Sequence, residues 1–288
     1  MFYLKKIINK LSKFEIIKKI YFWLKFHFYF DPRKNYVPNP FINYNQSIEN
    51  FDTAVYIDTF LNKGKTQFEF LQSLTDKVPH ILDFGCGFSP MGAYLNLVGE
   101  KHIKYHGIEP HHKAFRWTSA KLTNSNFLNY THLGLPEEQN YLTQNFTKNR
   151  SASNLQDLQI PFSPNIIFSS SVFTHMFPET ALNTLQKLNN LGTSTTIFVN
   201  TWLILDQIAQ QNLDNGLADR KLNLYINGIY TYDKLNPLVC TAYLEEDILE
   251  IYSQSNQKII KILHGEWSGD GRWNPLTYQD VIISAKIK

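Results

Sequence analysis

His80-Ile81-Leu82-Asp83-Phe84 is a short apolar run carrying an acid near its end, and Gly85-Cys86-Gly87-Phe88-Ser89-Pro90 follows as a tight glycine turn. Met91-Gly92-Ala93-Tyr94-Leu95-Asn96-Leu97-Val98 then has the makings of a helix. Strand, glycine turn and helix in that order is how doubly wound α/β proteins hold nucleotide-like ligands at the carboxyl ends of their strands. Glycines let the backbone approach a ligand with no Cβ in the way.

Outward from this turn, strands are expected at 105–109, 127–133, 165–171 and 195–200, and helices at 112–122, 178–190 and 244–253. Pro178 and Glu179 open the second of these helices. Two final strands, 259–263 and 278–284, surround a Gly/Trp-rich loop. Upstream, residues 52–75 read as a helical stretch broken near Asn62-Lys63-Gly64-Lys65. Residues 134–160 form a long polar connection, and 202–240 read as irregular. The alternation implies a doubly wound, Rossmann-like, seven-stranded and mostly parallel sheet with helices on both faces. The last two strands have no helix between them, so they are expected as an antiparallel pair at one edge.

The chain has 288 residues and is 43% hydrophobic, enough for a large globular core. We divide it into an N-terminal helical extension and linker, 1–50, and a domain, 51–288. Residues 1–34 hold nine Lys/Arg against Glu15 and Asp31, a net +7, so the remainder of this +3 chain carries −4. The body therefore has no charge-based reason to bind nucleic acid. Cys86 and Cys240 are too few for a disulfide scaffold and fit a reduced, cytoplasmic setting. No zinc-type spacing occurs, and no metal is expected.

In residues 2–30, Leu4, Ile7, Ile8, Leu11, Phe14, Ile17, Tyr21, Leu24 and Phe28 recur at helical spacing, with Lys6, Lys10 and Lys13 off the stripe. No apolar run approaches a membrane span. The segment is either a basic helix lying at an anionic membrane surface, peripheral at the inner face, or a helix packed on the body or a second subunit. The oligomeric state is left open.

A dinucleotide fold would show G-x-G-x-x-G, but here Pro90 stands where the third glycine belongs, which weakens pyrophosphate binding. Asp83 precedes the turn and Glu109 ends the second strand. A carboxylate can accept both hydroxyls of a ribose. The pattern suits a nucleoside with a cationic or zwitterionic tail.

At these residues the chain resembles the class I S-adenosylmethionine-dependent methyltransferases. Ile81-Leu82-Asp83-Phe84-Gly85-Cys86-Gly87 is similar to their first motif and His106-Gly107-Ile108-Glu109 to the second. Ser171-Val172-Phe173-Thr174-His175-Met176, Gly265-Glu266-Trp267-Ser268-Gly269 and Tyr278-Gln279-Asp280-Val281-Ile282-Ile283 resemble segments of one bacterial branch. The resemblance implies S-adenosylmethionine as cofactor. It implies that Gly85 and Gly87 line its methionine part, that Asp83 orients it and that Glu109 holds the ribose; Cys86 belongs to the cofactor-binding set as a small apolar turn residue, not a nucleophile. Asn62, Lys63 and Gly64 sit where the family closes over the cofactor. Ser171 joins the expected set, and Asp157, with Gln156, is the candidate for reading adenine. Leu191-Gly192-Thr193 and Asn165 depart from the family pattern.

His175, after the fourth strand, is the candidate general base, because imidazole titrates near neutral pH. Capping the next helix or packing under the site is its structural alternative. His111-His112 reads as a helix start rather than a metal pair. Trp267, Arg272, Trp273, Tyr278 and Asp280 suit a flat polar acceptor such as a sugar, or else form a hydrophobic plug; Trp202 is a candidate for the same pocket. The branch is often found with glycan and cell-envelope biosynthesis genes. The expected function is O-methylation of a small molecule or glycan intermediate. A degenerate fold acting as a scaffold is the alternative, and a nicotinamide oxidoreductase is disfavoured by Pro90.

Overall fold

A computed structural model describes residues 15–40, 52–123, 126–133, 158–269, 271–272, 274, 276 and 278–287. Asp157, Gln156, Trp273 and the N-terminal pattern before residue 15 lie outside the described residues. The elements in order are α1 (Glu15–His27), α2 (Thr53–Ser73), β1 (His80–Phe84), α3 (Pro90–Val98), β2 (Lys104–Glu109), α4 (His112–Lys121), β3 (Leu128–His132) and β4 (Ile166–Ser169). There follow α5 (Pro178–Leu191), β5 (Ile197–Trp202), β6 (Ile204–Leu205), α6 (Gln207–Asp214), β7 (Leu224–Ile226) and β8 (Ile229–Thr231). β9 (Tyr243–Leu244), α7 (Glu245–Gln254), β10 (Gln257–Leu263) and β11 (Asp280–Lys286) complete the described chain.

The main sheet has seven strands in the order β10-β11-β5-β4-β1-β2-β3. The pairs from β5 to β3 are parallel. β11 lies antiparallel to both β10 and β5. The expected antiparallel pair is therefore present, and β11 is inserted between β10 and the rest.

The period-2 alternation of each strand divides the core into two layers. Ile81, Tyr105, Phe168 and Val199 pack on one face with Ile57 and Leu71 of α2 and Met91 and Leu95 of α3. Leu82, Ile108, Ile167 and Phe198 pack on the other with Leu185 of α5 and Ile248 and Tyr252 of α7. Truncating a fully buried leucine such as Leu71 to alanine would cost about 2–5 kcal/mol.

Three local expectations change. The helix over 52–75 is not broken: α2 runs from Thr53 to Ser73, capped by Asp52, whose carboxylate accepts from Ala54 and Val55 N–H at 2.7 and 3.1 Å. Gly64 stays inside it because a Cβ there would overlap the Pro90 carbonyl; close packing of α2 on α3 outweighs the ~1 kcal/mol helix penalty of glycine. Residues 202–240 are not irregular throughout. They hold α6, the hairpin β7–β8 and the strand β6, which pairs with β9. Asn227-Gly228 turns the hairpin with φ of 50° and 83°, the left-handed conformations such a turn requires.

Trp202 is the third correction. It belongs to β5 and is fully buried, stacked on Phe173 with centroids 4.5 Å apart, its indole N–H donating to Tyr252 Oη at 3.1 Å. It faces the core layer of α7 rather than a ligand.

α1 reaches the body through buried Phe26, which meets Tyr56 edge-on at 6.2 Å. Arg33 then ties the segment down, binding Asp31 and, at 2.7 Å, Asp58 of α2.

Candidate functional site

The glycine turn spends its amides on the neighbouring strand. Gly85 and Cys86 N–H both donate to the Ile108 carbonyl, at 2.8 and 3.1 Å. Gly87 N–H donates to Glu109 Oε2 at 2.6 Å, and His111 N–H donates to Glu109 Oε1 at 2.7 Å. Gly85 and Gly87 need their left-handed φ of 75° and 58° for this path. At Gly85 a Cβ would also collide with Val172, whereas at Gly87 it would meet open space.

Asp83 stands on the α2/α3 face of the sheet, 4% exposed. Its Oδ2 accepts from the Tyr105 hydroxyl at 2.6 Å, and Ser89 Oγ links Tyr105 and Tyr130 at 2.8 and 2.9 Å. Burial pushes the Asp83 carboxyl up to about 7, against the pull of Tyr105 and of the Lys63 charge. Burial likewise pushes Glu109 up to about 7, against the two amides it accepts. A carboxylate offers about four acceptor positions, so two on Glu109 remain for a ligand.

These groups open on a cavity of about 540 Å³ at the carboxyl ends of β1, β2 and β4, within the range of small-molecule sites. Tyr56, Phe60 and Lys63 of α2 form one wall. Lys63 reaches open space inside this concavity, yet enough protein surrounds it to lower its ammonium pKa, which Asp83 pulls back up. Phe84, Phe168, Val172 and Met176 give the cavity an apolar lining.

Gly85, Cys86, Gly87, Asp83, Glu109, Ser171 and His175 all line this cavity. Ser171 holds a φ of 58°, fixed by its N–H donating to Thr201 Oγ1 at 2.7 Å and its hydroxyl to Gln279 Oε1 at 3.1 Å. The Cys86 thiol is buried, and burial raises its pKa well above the usual value, so it stays protonated. His175 sits in a short 3-10 turn and caps no helix: Phe177 is the residue before α5. Its Nδ1 bonds the Leu238 carbonyl at 2.9 Å, an arrangement that assigns the proton to Nδ1. Burial lowers its pKa.

Gly64 does not line the cavity. It faces Pro90, while its neighbour Lys63 faces the opening. Of the described members of the C-terminal cluster, Trp267 is fully buried and donates to Asp280 Oδ2 at 2.6 Å, and Arg272 pairs with Asp206 at 2.6 Å. His111 caps α4, accepting from Ala114 N–H at 3.4 Å.

The two departures from the family pattern are explained at the opposite, amino edge of the sheet. Asn165 accepts from His80 N–H at 2.7 Å and donates to the Val78 carbonyl at 2.9 Å, joining β4 to β1. Gly192 ends α5 on the way into β5, and Thr193 N–H donates to Thr196 Oγ1 at 2.8 Å. Neither position touches the cavity.

Sequence reasoning missed Tyr105 and the aromatic wall of α2. Tyr105 carried a signal, since it lies on the same strand face as Asp83 would if β1 and β2 pair in register. Tyr56 and Phe60 carried none, because only packing brings α2 over the turn.

No family model matches the chain. Many solved structures do. A protein from Pyrococcus horikoshii OT3 matches at 9% identity over 84% of this chain and 94% of its own, with a TM-score of 0.50. The CcbJ methyltransferase of Streptomyces caelestis matches at 10% identity over 78% of this chain and 90% of its own, TM-score 0.49. The magnesium protoporphyrin IX methyltransferase of Synechocystis PCC 6803, solved with bound SAH, matches at 12% identity over 84% of this chain and 90% of its own, TM-score 0.48. Identities this low speak to fold alone. Among the described residues the chain has a methyltransferase-like α/β fold, a seven-stranded, mostly parallel sheet with β11 inserted antiparallel.

Proposed function

We propose that this chain is an S-adenosylmethionine-dependent methyltransferase acting on a hydroxyl of a small molecule or of a glycan or cell-envelope intermediate. One observation carries the proposal: the amides of Gly85, Cys86 and Gly87 are all donated to Ile108 and Glu109, leaving a carboxylate rather than an amide nest at the turn. A pyrophosphate needs those amides free. A nucleoside with a positively charged sulfonium does not need them, and two acids favour it. Pro90, which supplies no N–H at the start of α3, points the same way.

When bound, this cofactor supplies an electrophilic methyl group. The residues present fit it: Glu109 accepts from the ribose hydroxyls with its two unused positions, and Gly87 leaves room for close approach. Asp83 and Lys63, both lining the cavity, would offer a carboxylate and an ammonium to its amino-acid end. The apolar wall excludes water, and holding two reactants in line can supply an effective molarity of ~10⁵ M or more. His175 takes the proton of the acceptor hydroxyl, a role worth roughly 10²–10⁴ in rate. The acceptor class rests on the resemblance of the Ser171–Met176 and C-terminal segments. Cys86 and Cys240, buried and unpaired, fit a cytoplasmic setting.

Calorimetric titration with S-adenosylhomocysteine, with NAD as control, tests the proposal. Binding of the first alone is expected. Binding of NAD alone would sink it, and binding of neither would favour a scaffold built on a degenerate fold.

A further inference from the structure

α1 carries apolar side chains on two faces. Phe26 is buried against the body, 7% exposed. Ile20, Trp23, Leu24, His27 and Phe28 instead recur at i, i+3, i+4, i+7 and i+8, one stripe along the helix and its terminal turn. Ile20 is 50% exposed, Trp23 41%, Leu24 42% and Phe28 77%, and Phe30 just beyond is fully exposed. Trp23 stacks on His27 with ring centroids 4.8 Å apart, which joins two members of the stripe one turn apart. Single exposed apolar residues are ordinary; a contiguous stripe of this kind marks an interaction surface.

The charge around the stripe says what covers it. Residues 1–34 carry nine basic residues against two acidic ones. Arg33 is neutralised by Asp31 and Asp58, and Lys34 bonds the carbonyls of His27 and Tyr29. The excess is therefore carried by Lys18, Lys19, Lys25 and Lys34, and in the sequence also by lysines 5, 6, 10 and 13, outside the described residues. A second copy docked through the same stripe about a two-fold axis would set this positive segment against its twin. An anionic lipid surface meets both requirements, with headgroup charge for the lysines and an acyl boundary for the aromatic rings. Among the described residues no helix is long and apolar enough to cross a membrane, so the contact is interfacial.

We propose that the α1 segment docks this protein on an anionic membrane surface through Ile20, Trp23, Leu24 and Phe28, with its lysines on the lipid headgroups. Phe26, on the opposite face, rests on Tyr56, which itself lines the cavity. α1 therefore lies between the docked face and the Tyr56 wall of the cavity, and docking through it would hold the site one helix away from the membrane. The docking inference does not depend on methyl transfer.

The test is co-sedimentation of the full chain with phosphatidylcholine vesicles, with and without phosphatidylglycerol. The expected result is binding only with the anionic lipid, released by added salt. A Trp23→Ser, Leu24→Ser, Phe28→Ser variant is expected to lose at least about tenfold in partitioning at an unchanged Tm. Should that variant not fold, Lys18→Gln, Lys19→Gln, Lys25→Gln serves instead, with a loss of similar size expected. Wild type that stays in the supernatant, that binds neutral vesicles equally, or that partitions like both variants overturns the proposal. So does a dimer in sedimentation velocity that the apolar variant abolishes, since the stripe would then belong to a second copy.

Discussion

The backbone N–H of Gly87 donates to the Glu109 carboxylate at 2.6 Å, so the end of β2 closes the turn that follows β1. One acid thereby has two tasks, satisfying the turn and presenting negative charge to the cavity. Glu109→Gln keeps one acceptor oxygen but sets an amide N–H against a backbone donor. Loss of a charge-assisted hydrogen bond is worth about 1.5–3 kcal/mol. Affinity for S-adenosylhomocysteine should fall roughly 10–100-fold by calorimetry. Because the Glu109 carboxyl lies up near 7, wild-type binding should tighten as pH rises through 7, and the variant should show a shallower dependence. Unchanged affinity and slope would remove Glu109 from the ribose.

Asp83 should tax the fold. Its carboxyl, raised by burial from 3.8 to about 7, binds a proton in the folded chain that the unfolded chain has already released between those values. The folded state then holds more protons, so the contribution of this group to stability is greatest below about pH 4 and declines as pH rises through 7. Asp83→Asn removes the buried charge and keeps an acceptor for Tyr105. At pH 8 we expect a Tm above wild type by a few degrees, about 2–4 °C for each kcal/mol recovered, with the gain vanishing near pH 4. A lower Tm at pH 8 would mean that the Asp83 charge is compensated by Lys63.

Gly64→Ala separates packing from ligand contact. Its Cβ would overlap the Pro90 carbonyl, an overpacking defect of about 1–3 kcal/mol, where an ordinary exposed helix glycine would gain from alanine. Urea denaturation should show the loss. A stabilised variant would mean that α2 and α3 part easily.

His175→Ala tests the base. Burial holds the His175 imidazole below its usual 6.5, so it is neutral and able to accept a proton at physiological pH. Turnover should drop roughly 10²–10⁴-fold with cofactor affinity unchanged, and the acidic limb of the wild-type kcat profile should lie below pH 6.5. Full turnover in the variant would leave His175 as a packing residue.

Local pattern carried much of this molecule. The acid–Gly–x–Gly turn after β1, the acid ending β2 and the apolar runs of β1, β4 and β5 were legible, because a strand covered on both faces reads as a short continuous apolar run and left-handed glycine is a local property. Asn227-Gly228 between two apolar runs is a local hairpin signal of the same kind. Gly64 misled, since in one dimension a glycine inside a helix looks like a break. Trp202 misled because an indole at the end of a strand carries no mark of whether it faces a ligand or a core.

By itself the sequence determined that this chain would build a doubly wound sheet with two acids at the carboxyl ends of its strands. Short apolar runs and turn chemistry are encoded within a few residues. Only the tertiary structure decided that the turn's amides end on Ile108 and Glu109, that Lys63 rather than Gly64 enters the cavity, and that α1 turns one apolar face outward. Each of these depends on which distant segment lies alongside, and a hydrogen bond or a buried face has no partner until the chain has closed on itself.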